Sequence, residues 1–448
     1  MKKVAFRNLG CKVNEYEIEY MQQRMAESGF EVVPFAQKAD IYVINTCTVT
    51  NIADRKSRQM LHQAKKRNKD AIVVAVGCYV QTSPEEAAKD AAIDIIIGNN
   101  HKNDIAKIVT DYINDQNTDN SYLSDLVKPV NYEDMTLKKT SSHTRAFIKI
   151  QDGCNQFCSY CAIPLARGRI RSRSLESILN EVEILASNGY QEVVLTGIHL
   201  SSYGIDFLDN DSETPLSYNE LAKDGGFTNV SLLNVIREVA KIEKIKRIRL
   251  GSLEPRLITD EFLEGLSKIE KICPHFHLSL QSGCDKTLER MNRKYTTDEF
   301  RKSVSLLRKY FNNPAITTDV IVGFPGETKE EFETTVKFLK EIKFFEMHVF
   351  KYSKRKNTVA SRLKDQVSDE DKDIRSNILL DLDAELSREF RKEYLNREVE
   401  VLIEEKKNGK YIGHTKEYIM VSKDSDEDIK GQILTLMLDG ETLSFVEK

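Results

Sequence analysis

The sequence alternates short apolar runs with longer amphipathic stretches, and this alternation restricts the fold more than any other feature. Apolar runs of about four to eight residues that alternate with helical patterns are typical of βα units around a parallel sheet. The pattern changes character along the 448 residues, so we divide the chain into domains. The predicted class is α/β, with an N-terminal open α/β domain, a central incomplete (β/α)6 barrel and a C-terminal small β-barrel.

The domain boundaries follow from these changes of pattern. Residues 1–112 form the first domain, with predicted strands at 4–8, 41–45, 71–76 and 93–97 and helices at 17–28 and 53–67. Residues 113–140 are rich in Asn, Asp, Ser and Lys and predict a linker with little core of its own.

Residues 141–370 carry six strand–helix units, with strands at 146–151, 192–196, 247–251, 275–280, 316–322 and 346–350 and a polar insertion at 205–228. Residues 371–448 combine a charged helical stretch with short strands at 399–404, 418–422, 432–437 and 442–446.

The lack of targeting and membrane-length apolar segments predicts a reducing compartment. The net charge of −4 predicts no partner by itself, so any affinity for nucleic acid must come from local basic patches. The N-terminus lacks the apolar run of a signal peptide, and no apolar run is long enough to cross a bilayer. We therefore expect a cytoplasmic protein with no membrane partner. In that compartment the eight cysteines are metal ligands or catalytic groups more often than disulfides.

Cys154, Cys158 and Cys161 lie on one loop directly after the predicted strand 146–151, at the end of a barrel where active sites are built. Thiolates suit iron–sulfur clusters or zinc. A cubane cluster needs four ligands and this loop supplies three, which leaves one iron open to a substrate. We predict a catalytic 4Fe–4S cluster here. Structural zinc, which usually takes four protein ligands, and buried free cysteines are the alternatives.

Cys11, Cys47 and Cys78 share a position rather than a spacing, because each follows the end of a predicted strand in the first domain. Open α/β sheets gather their ligands at this edge. Three thiols that meet there would form a second metal site, and the alternative is three ordinary buried cysteines. Cys273 and Cys284 show no such pattern and are predicted to be structural.

Several segments together resemble the methylthiotransferase family of radical S-adenosylmethionine enzymes. The matching segments are 9–14, 45–47, 77–78, 154–161, 164–168 and 322–328. The resemblance covers nearly the whole chain and includes the C-terminal barrel, which looks like a TRAM domain. Residues 45–51 and 54–59 look most like the subgroup that acts on threonylcarbamoyladenosine in tRNA.

The resemblance implies a reaction and its cofactors. N6-threonylcarbamoyladenosine next to the anticodon (position 37) would become 2-methylthio-N6-threonylcarbamoyladenosine, with two 4Fe–4S clusters and S-adenosylmethionine as cofactors. The partners would be tRNA and an electron donor such as flavodoxin or ferredoxin. An aromatic C–H bond has no acidic proton, so radical chemistry supplied by a cofactor fits. The alternatives are methylthiolation of isopentenyladenosine or of a ribosomal protein, and a non-catalytic zinc-stabilised RNA-binding protein.

The resemblance also implies contacts with S-adenosylmethionine at the turn Gly323, Phe324 and Pro325, where glycine permits close approach of the backbone. A tight turn with only a packing role is the alternative. Further cofactor or substrate candidates lie at strand ends or on the cysteine loop: Tyr160, Thr196, Gly197, Ser252, Glu254 and Gln281. Many radical S-adenosylmethionine enzymes carry Gly-Gly-Glu where Thr196 and Gly197 stand.

Two basic runs predict phosphate contacts. Residues 141–173 carry six Lys or Arg residues against one acid, and a second run lies at 351–356. The predicted RNA-binding residues are Arg167, Arg169, Arg171, Arg173, Lys354 and Arg355. A solvated basic face is the alternative.

Overall fold

The computed structural model describes residues 1–114, 120–126, 130–140, 144–207 and 231–440. Most of the predicted polar insertion and the predicted strand at 442–446 lie outside these ranges. No described helix is long and apolar enough to cross a membrane.

The N-terminal domain is a parallel sheet with strand order β2-β1-β3-β4-β5-β6 and helices on both faces. The predicted apolar runs are continuous because each strand is covered on both sides. The strands are β1 Lys3–Asn8, β2 Glu31–Val33, β3 Ile41–Thr46, β4 Ile72–Gly77, β5 Ile95–Ile97 and β6 Ser121–Tyr122. The helices are α1 Lys12–Glu27, α2 Asn51–Arg67, α3 Cys78–Thr82, α4 Pro84–Ala88 and α5 Ile105–Ile113.

The described part of residues 113–140 differs from the predicted linker. Its β6 pairs with β5, and Met135 and Leu137 are buried beside Tyr16. The Leu137 amide donates to Glu181 on the barrel at 2.6 Å. These apolar residues are isolated in sequence and show no periodicity, so the sequence does not reveal that they pack in the interface between two domains.

The predicted incomplete (β/α)6 barrel is confirmed. Its parallel strands follow the order β7, β9, β10, β11, β12, β13, with the short antiparallel β8 beside β7 and single bridges joining β10 to β11. The strands are β7 Ala146–Asp152, β8 Arg171–Ser172, β9 Glu192–Gly197, β10 Arg247–Leu250, β11 His275–His277, β12 Ala315–Val322 and β13 Glu346–Lys351. The helices are α6 Ile163–Arg167, α7 Leu175–Ser187, α8 Leu232–Ala240, α9 Asp260–Ser267, α10 Asp285–Arg290, α11 Thr297–Tyr310 and α12 Lys329–Ile342.

The C-terminal part begins with the long helix α13 Asp369–Lys392 and continues as an antiparallel sheet of order β16-β15-β14-β17. Its strands are β14 Glu398–Lys407, β15 Lys410–Thr415, β16 Met420–Lys423 and β17 Ile433–Met437. Strand β15 was not predicted, although Asn408 and Gly409, both at positive φ, form the two-residue hairpin turn that precedes it. Arg247 and Arg249 of β10 donate to backbone carbonyls of this domain and dock it on the barrel.

Candidate active site

The loop with Cys154, Cys158 and Cys161 leaves β7 at Gly153, which has φ +71°. A Cβ atom at Gly153 would lie 1.8 Å from the carbonyl oxygen of Arg169, so only glycine fits this turn. The Cys154 amide donates to the Gly168 carbonyl at 3.0 Å, and the Cys161 amide donates to Cys158 at 3.0 Å. The three cysteines therefore lie on one short loop over the end of β7, each half-buried and without a disulfide.

Later barrel segments hold this loop from the other side. Ser159 donates its amide to Met291 at 2.9 Å, and the Asn292 side chain donates to the Phe157 carbonyl at 2.9 Å. Arg293 donates from Nη1 to the sulfur of Cys158 at 3.2 Å. Arg293 was not predicted as a site residue, because nothing in the local pattern relates it to a cysteine 135 positions away. Hydrogen bonds to cysteine sulfur are one of the means by which proteins tune iron–sulfur clusters.

The second set of cysteines is brought together by asparagines. The Asn14 side chain on α1 donates to Asn45 at 3.2 Å and to the Thr46 carbonyl at 3.1 Å, and Asn45 donates back to Asn14 at 2.9 Å. This exchange joins the turns that carry Cys11 and Cys47. Gly77, at φ +98°, would place a Cβ atom 2.5 Å from Asn45, so glycine is required before Cys78.

Burial sets the charge of these thiols. It raises the pKa of Cys47 to about 11 and that of Cys161 to about 12, and it also raises the pKa values of Cys11 and Cys154. Neighbouring thiols of the same set raise these pKa values further. The free thiols of these four cysteines are neutral at pH 7, and a bound metal would displace their protons.

A cavity of about 590 Å³ lies between the barrel strand ends, the N-terminal domain and the C-terminal domain. Cys11 opens into it from one side, and Thr196, Gly197 and Ser252 line it on the barrel side, as predicted for substrate or cofactor candidates. Tyr418 of the C-terminal domain forms another wall; its ring lies between His414 and His275, at centroid distances of 4.4 and 4.8 Å. The two cysteine sets therefore belong to domains that share one chamber.

Comparison with known proteins agrees with this architecture. The Radical SAM superfamily model matches residues 148–339, and the model described as uncharacterized protein family UPF0004 matches residues 3–98. The threonylcarbamoyladenosine tRNA methylthiotransferase MtaB of Bacillus subtilis is 40% identical over 98% of this chain and 94% of its own length. This chain belongs to the radical S-adenosylmethionine methylthiotransferase family.

Two further relatives extend the comparison. The tRNA-2-methylthio-N(6)-dimethylallyladenosine synthase of Finegoldia magna is 32% identical over 95% of this chain and 89% of its own length. The structure of the radical S-adenosylmethionine methyltransferase TsrM of Kitasatospora setae shares the fold, with a TM-score of 0.53 and 16% identity over 78% of this chain and 75% of TsrM. The protein is thus a transferase that uses S-adenosylmethionine and 4Fe–4S clusters, and the hypothesis of a non-catalytic zinc-stabilised protein is wrong.

Several predicted cofactor contacts of the methylthiotransferase lie away from the chamber. Phe324 is completely buried beneath Tyr160 and Tyr352, with ring centroids 6.4 and 5.5 Å away, so it packs under the cysteine loop rather than facing a ligand. A Cβ atom at Gly323 would lie 2.3 Å from Lys372, so the close approach there is made by a helix side chain of the protein itself. Pro325 is buried in the same turn.

Glu254 and Gln281 have structural partners. The Glu254 carboxylate accepts from Gln156 of the cysteine loop at 3.3 Å and lies beside His199 and Arg256. Burial alone would raise its pKa, but His199 and the neighbouring arginines hold the pKa of Glu254 at about 2. Gln281, at φ +72°, bridges to β12 through its backbone.

Four of the six predicted RNA contacts are buried ion-pair residues. Arg167 is fully buried and donates to Glu17 at 2.8 Å and to Asp152 at 3.1 Å. Arg171 lies 3.5 Å from the same Asp152. Arg173, also buried, pairs with Glu181. These three side chains are buried and paired with carboxylates inside the protein, so the structure does not present them where a phosphate could reach them.

Arg355, the fourth of these residues, joins the N-terminal domain to the barrel. Its guanidinium donates to Asp54, Thr48 and Asn51, each at 2.6 Å. Arg169 is half-buried, with its guanidinium 4.7 Å from the centre of the Phe157 ring, and Lys354 is exposed. Only these two of the predicted RNA contacts keep access to solvent in the described structure.

Proposed function

We propose that this enzyme converts N6-threonylcarbamoyladenosine next to the anticodon of tRNA into its 2-methylthio derivative. The observation that supports this proposal is the chamber between Cys11 and the barrel strand ends. A radical formed at the barrel and sulfur held by the N-terminal domain must reach the same adenine. The higher identity to the threonylcarbamoyladenosine enzyme (40%) than to the dimethylallyladenosine enzyme (32%) favours this base.

Each cysteine set would hold one 4Fe–4S cluster. The donor chemistry fits, since each set offers three unpaired thiols at strand ends and leaves one iron without a protein ligand. When bound, the clusters and S-adenosylmethionine supply the 5′-deoxyadenosyl radical and the transferred sulfur and methyl group. In the protein itself, Arg293 holds the Cys154 loop, and Asn14 and Asn45 hold the turns of Cys11 and Cys47. The adenine would bind between Thr196, Ser252 and Cys11.

The decisive experiment is nucleoside mass spectrometry of tRNA from cells that lack this gene. The 2-methylthio-N6-threonylcarbamoyladenosine peak should disappear while N6-threonylcarbamoyladenosine accumulates, and the wild-type gene should restore it. Loss of the isopentenyladenosine derivative instead would move the assignment to that base. An unchanged nucleoside profile would leave the proposed reaction without support.

The surface beside the Cys154 loop is the proposed binding site of the electron donor. Phe157, Leu165 and Val359 are 45%, 45% and 64% exposed and surround a surface cavity of about 390 Å³ that Cys158 and Cys161 also line. Exposed apolar patches of this kind mark interaction sites, and redox partners use small ones. We propose that flavodoxin or ferredoxin binds this patch and that the protein is cytoplasmic. Arg169 and Lys354 stay predicted contacts for tRNA.

Replacing both Leu165 and Val359 with serine should lower the rate of S-adenosylmethionine cleavage by about tenfold when reduced flavodoxin is the donor, because apolar contact is lost. With dithionite, which needs no docking, the rate should equal that of the wild type. Anaerobic assays with the two reductants on one preparation make the comparison. Equal loss with both reductants would place the effect in the cluster loop rather than in docking.

A further inference from the structure

Lys12 directly follows Cys11 at the start of α1 and lines the chamber together with Thr196 and Ser252. The side chain is exposed to the chamber. Among the described residues, no carboxylate oxygen lies within 4.0 Å of its ammonium nitrogen. No ion pair of the described protein therefore occupies this ammonium group, and it is free to bind an anionic ligand.

The other charged groups around the chamber are compensated. Arg249 pairs with Glu192 at 2.9 Å, and Arg145 lies 3.4 Å from Glu404. The lining histidine His275 is neutral, because burial and the nearby Arg249 and Lys12 hold its pKa well below the usual range. In the described part of the chamber lining, Lys12 is the one lysine or arginine, and it has no anionic partner.

The two carboxylates that line the chamber are also engaged. Asp319 lies 3.3 Å from His277, and Glu346 lies 3.1 Å from Arg391. Both are on β12 and β13, whereas Lys12 is on α1. An anionic ligand would therefore be repelled from the Asp319 side and drawn toward Lys12.

The substrate's geometry matches this arrangement. In adenine, N1 lies between C2 and C6, so the reacting C2–H and the substituent on N6 share one edge of the ring. If C2 faces the Cys11 set, a carboxylate on the N6 substituent lies near Lys12, the residue that follows Cys11. The threonylcarbamoyl group carries such a carboxylate, whereas a dimethylallyl group is uncharged.

We propose that Lys12 binds the carboxylate of the threonylcarbamoyl group and thereby selects an anionic N6 substituent over an uncharged one. This inference rests on the proposed function, since it names a specificity residue for that substrate. A charge-assisted hydrogen bond of this kind discriminates because it is stronger than a neutral one, and an uncharged substituent cannot form it. The same reasoning makes a neutral substituent a poor ligand for this chamber.

The test compares two forms of one tRNA, with the threonylcarbamoyl carboxylate free or converted to its methyl ester. In Lys12→Gln, kcat/KM for the free acid should fall by about ten- to a hundredfold, whereas kcat/KM for the ester should stay within about twofold of the wild-type value. Lys12→Arg, which keeps the charge, should restore most of the preference for the acid. Lys107→Gln removes an exposed lysine of α5 outside the chamber and controls for general loss of tRNA affinity.

The outcomes separate this inference from the proposed function. Equal losses on acid and ester, or a reduced iron content in Lys12→Gln, would show that Lys12 supports the cluster or the fold and would overturn its role in specificity. If the wild-type enzyme does not modify the threonylcarbamoyl tRNA at all, the proposed function itself fails. A wild type that modifies acid and ester equally well overturns the inference alone.

Discussion

The Cys47→Ala variant is expected to cleave S-adenosylmethionine to 5′-deoxyadenosine under strong reductant but to form no methylthio product. The expectation follows from position, since Cys47 belongs to the N-terminal sheet edge while the Cys154 loop covers the barrel. Cys47 suits this test because, unlike Cys11, it is buried and does not line the chamber, so its loss leaves the chamber walls and Lys12 intact.

The matched variant Cys158→Ala should do neither reaction, with both activities reduced by more than about a hundredfold, because an incomplete cluster cannot present an open iron. Cys273→Ala, a buried cysteine outside both sets, should retain both. Iron analysis should find about half the wild-type iron in each cluster variant, since metal binding at one site does not require the other. Normal methylthiolation by Cys47→Ala would reduce the N-terminal domain to a docking role.

The positions of the six cysteines could be predicted from the sequence for a physical reason. Parallel strands end at a common edge, so residues that follow apolar runs in each βα unit meet there whatever their spacing along the chain. Cys11, Cys47 and Cys78 follow β1, β3 and β4, which are neighbours in the sheet. The same rule placed Thr196, Gly197 and Ser252 in the chamber.

The arginines could not be interpreted in this way, because a run of basic residues does not reveal which carboxylates face it. Arg167 pairs with Glu17, which lies 150 positions earlier, and Arg145 donates to Tyr418, which lies 273 positions later. Such pairs depend on how domains pack, and local patterns carry no information about that packing. The turn at Gly323 shows the same limit, since the atoms that require glycine there belong to Lys372.

Glu17 lies at the centre of the interface between the N-terminal domain and the barrel. Its carboxylate accepts from Arg167 at 2.8 Å, from Lys149 at 2.8 Å and from Lys102 at 2.5 Å, and all four side chains are at most 1% exposed. Asp152 also pairs with Lys149 and Arg167, but Glu17 is the one carboxylate shared by all three buried cations, and the Glu17→Gln variant removes it. Breaking a buried ion pair from one side costs about 3–5 kcal/mol, because the remaining charges lose their compensation.

Urea unfolding of Glu17→Gln should therefore show this loss, whereas Glu27→Gln, on the exposed face of the same helix, should lose about 1 kcal/mol or less. Burial alone would raise the pKa of Glu17, but Arg167, Lys102 and Lys149 hold it well below the usual range. A carboxylate with a lowered folded pKa contributes stability above its unfolded pKa of about 4.3, and that stability is lost as the pH falls toward the folded value. The gap between the wild type and Glu17→Gln should consequently be the same at pH 7 and pH 5. The gap should narrow only once the pH falls below about 4, and a gap that stayed constant down to about pH 3 would mean that the folded pKa of Glu17 equals its ordinary value, so that the three cations do not hold it.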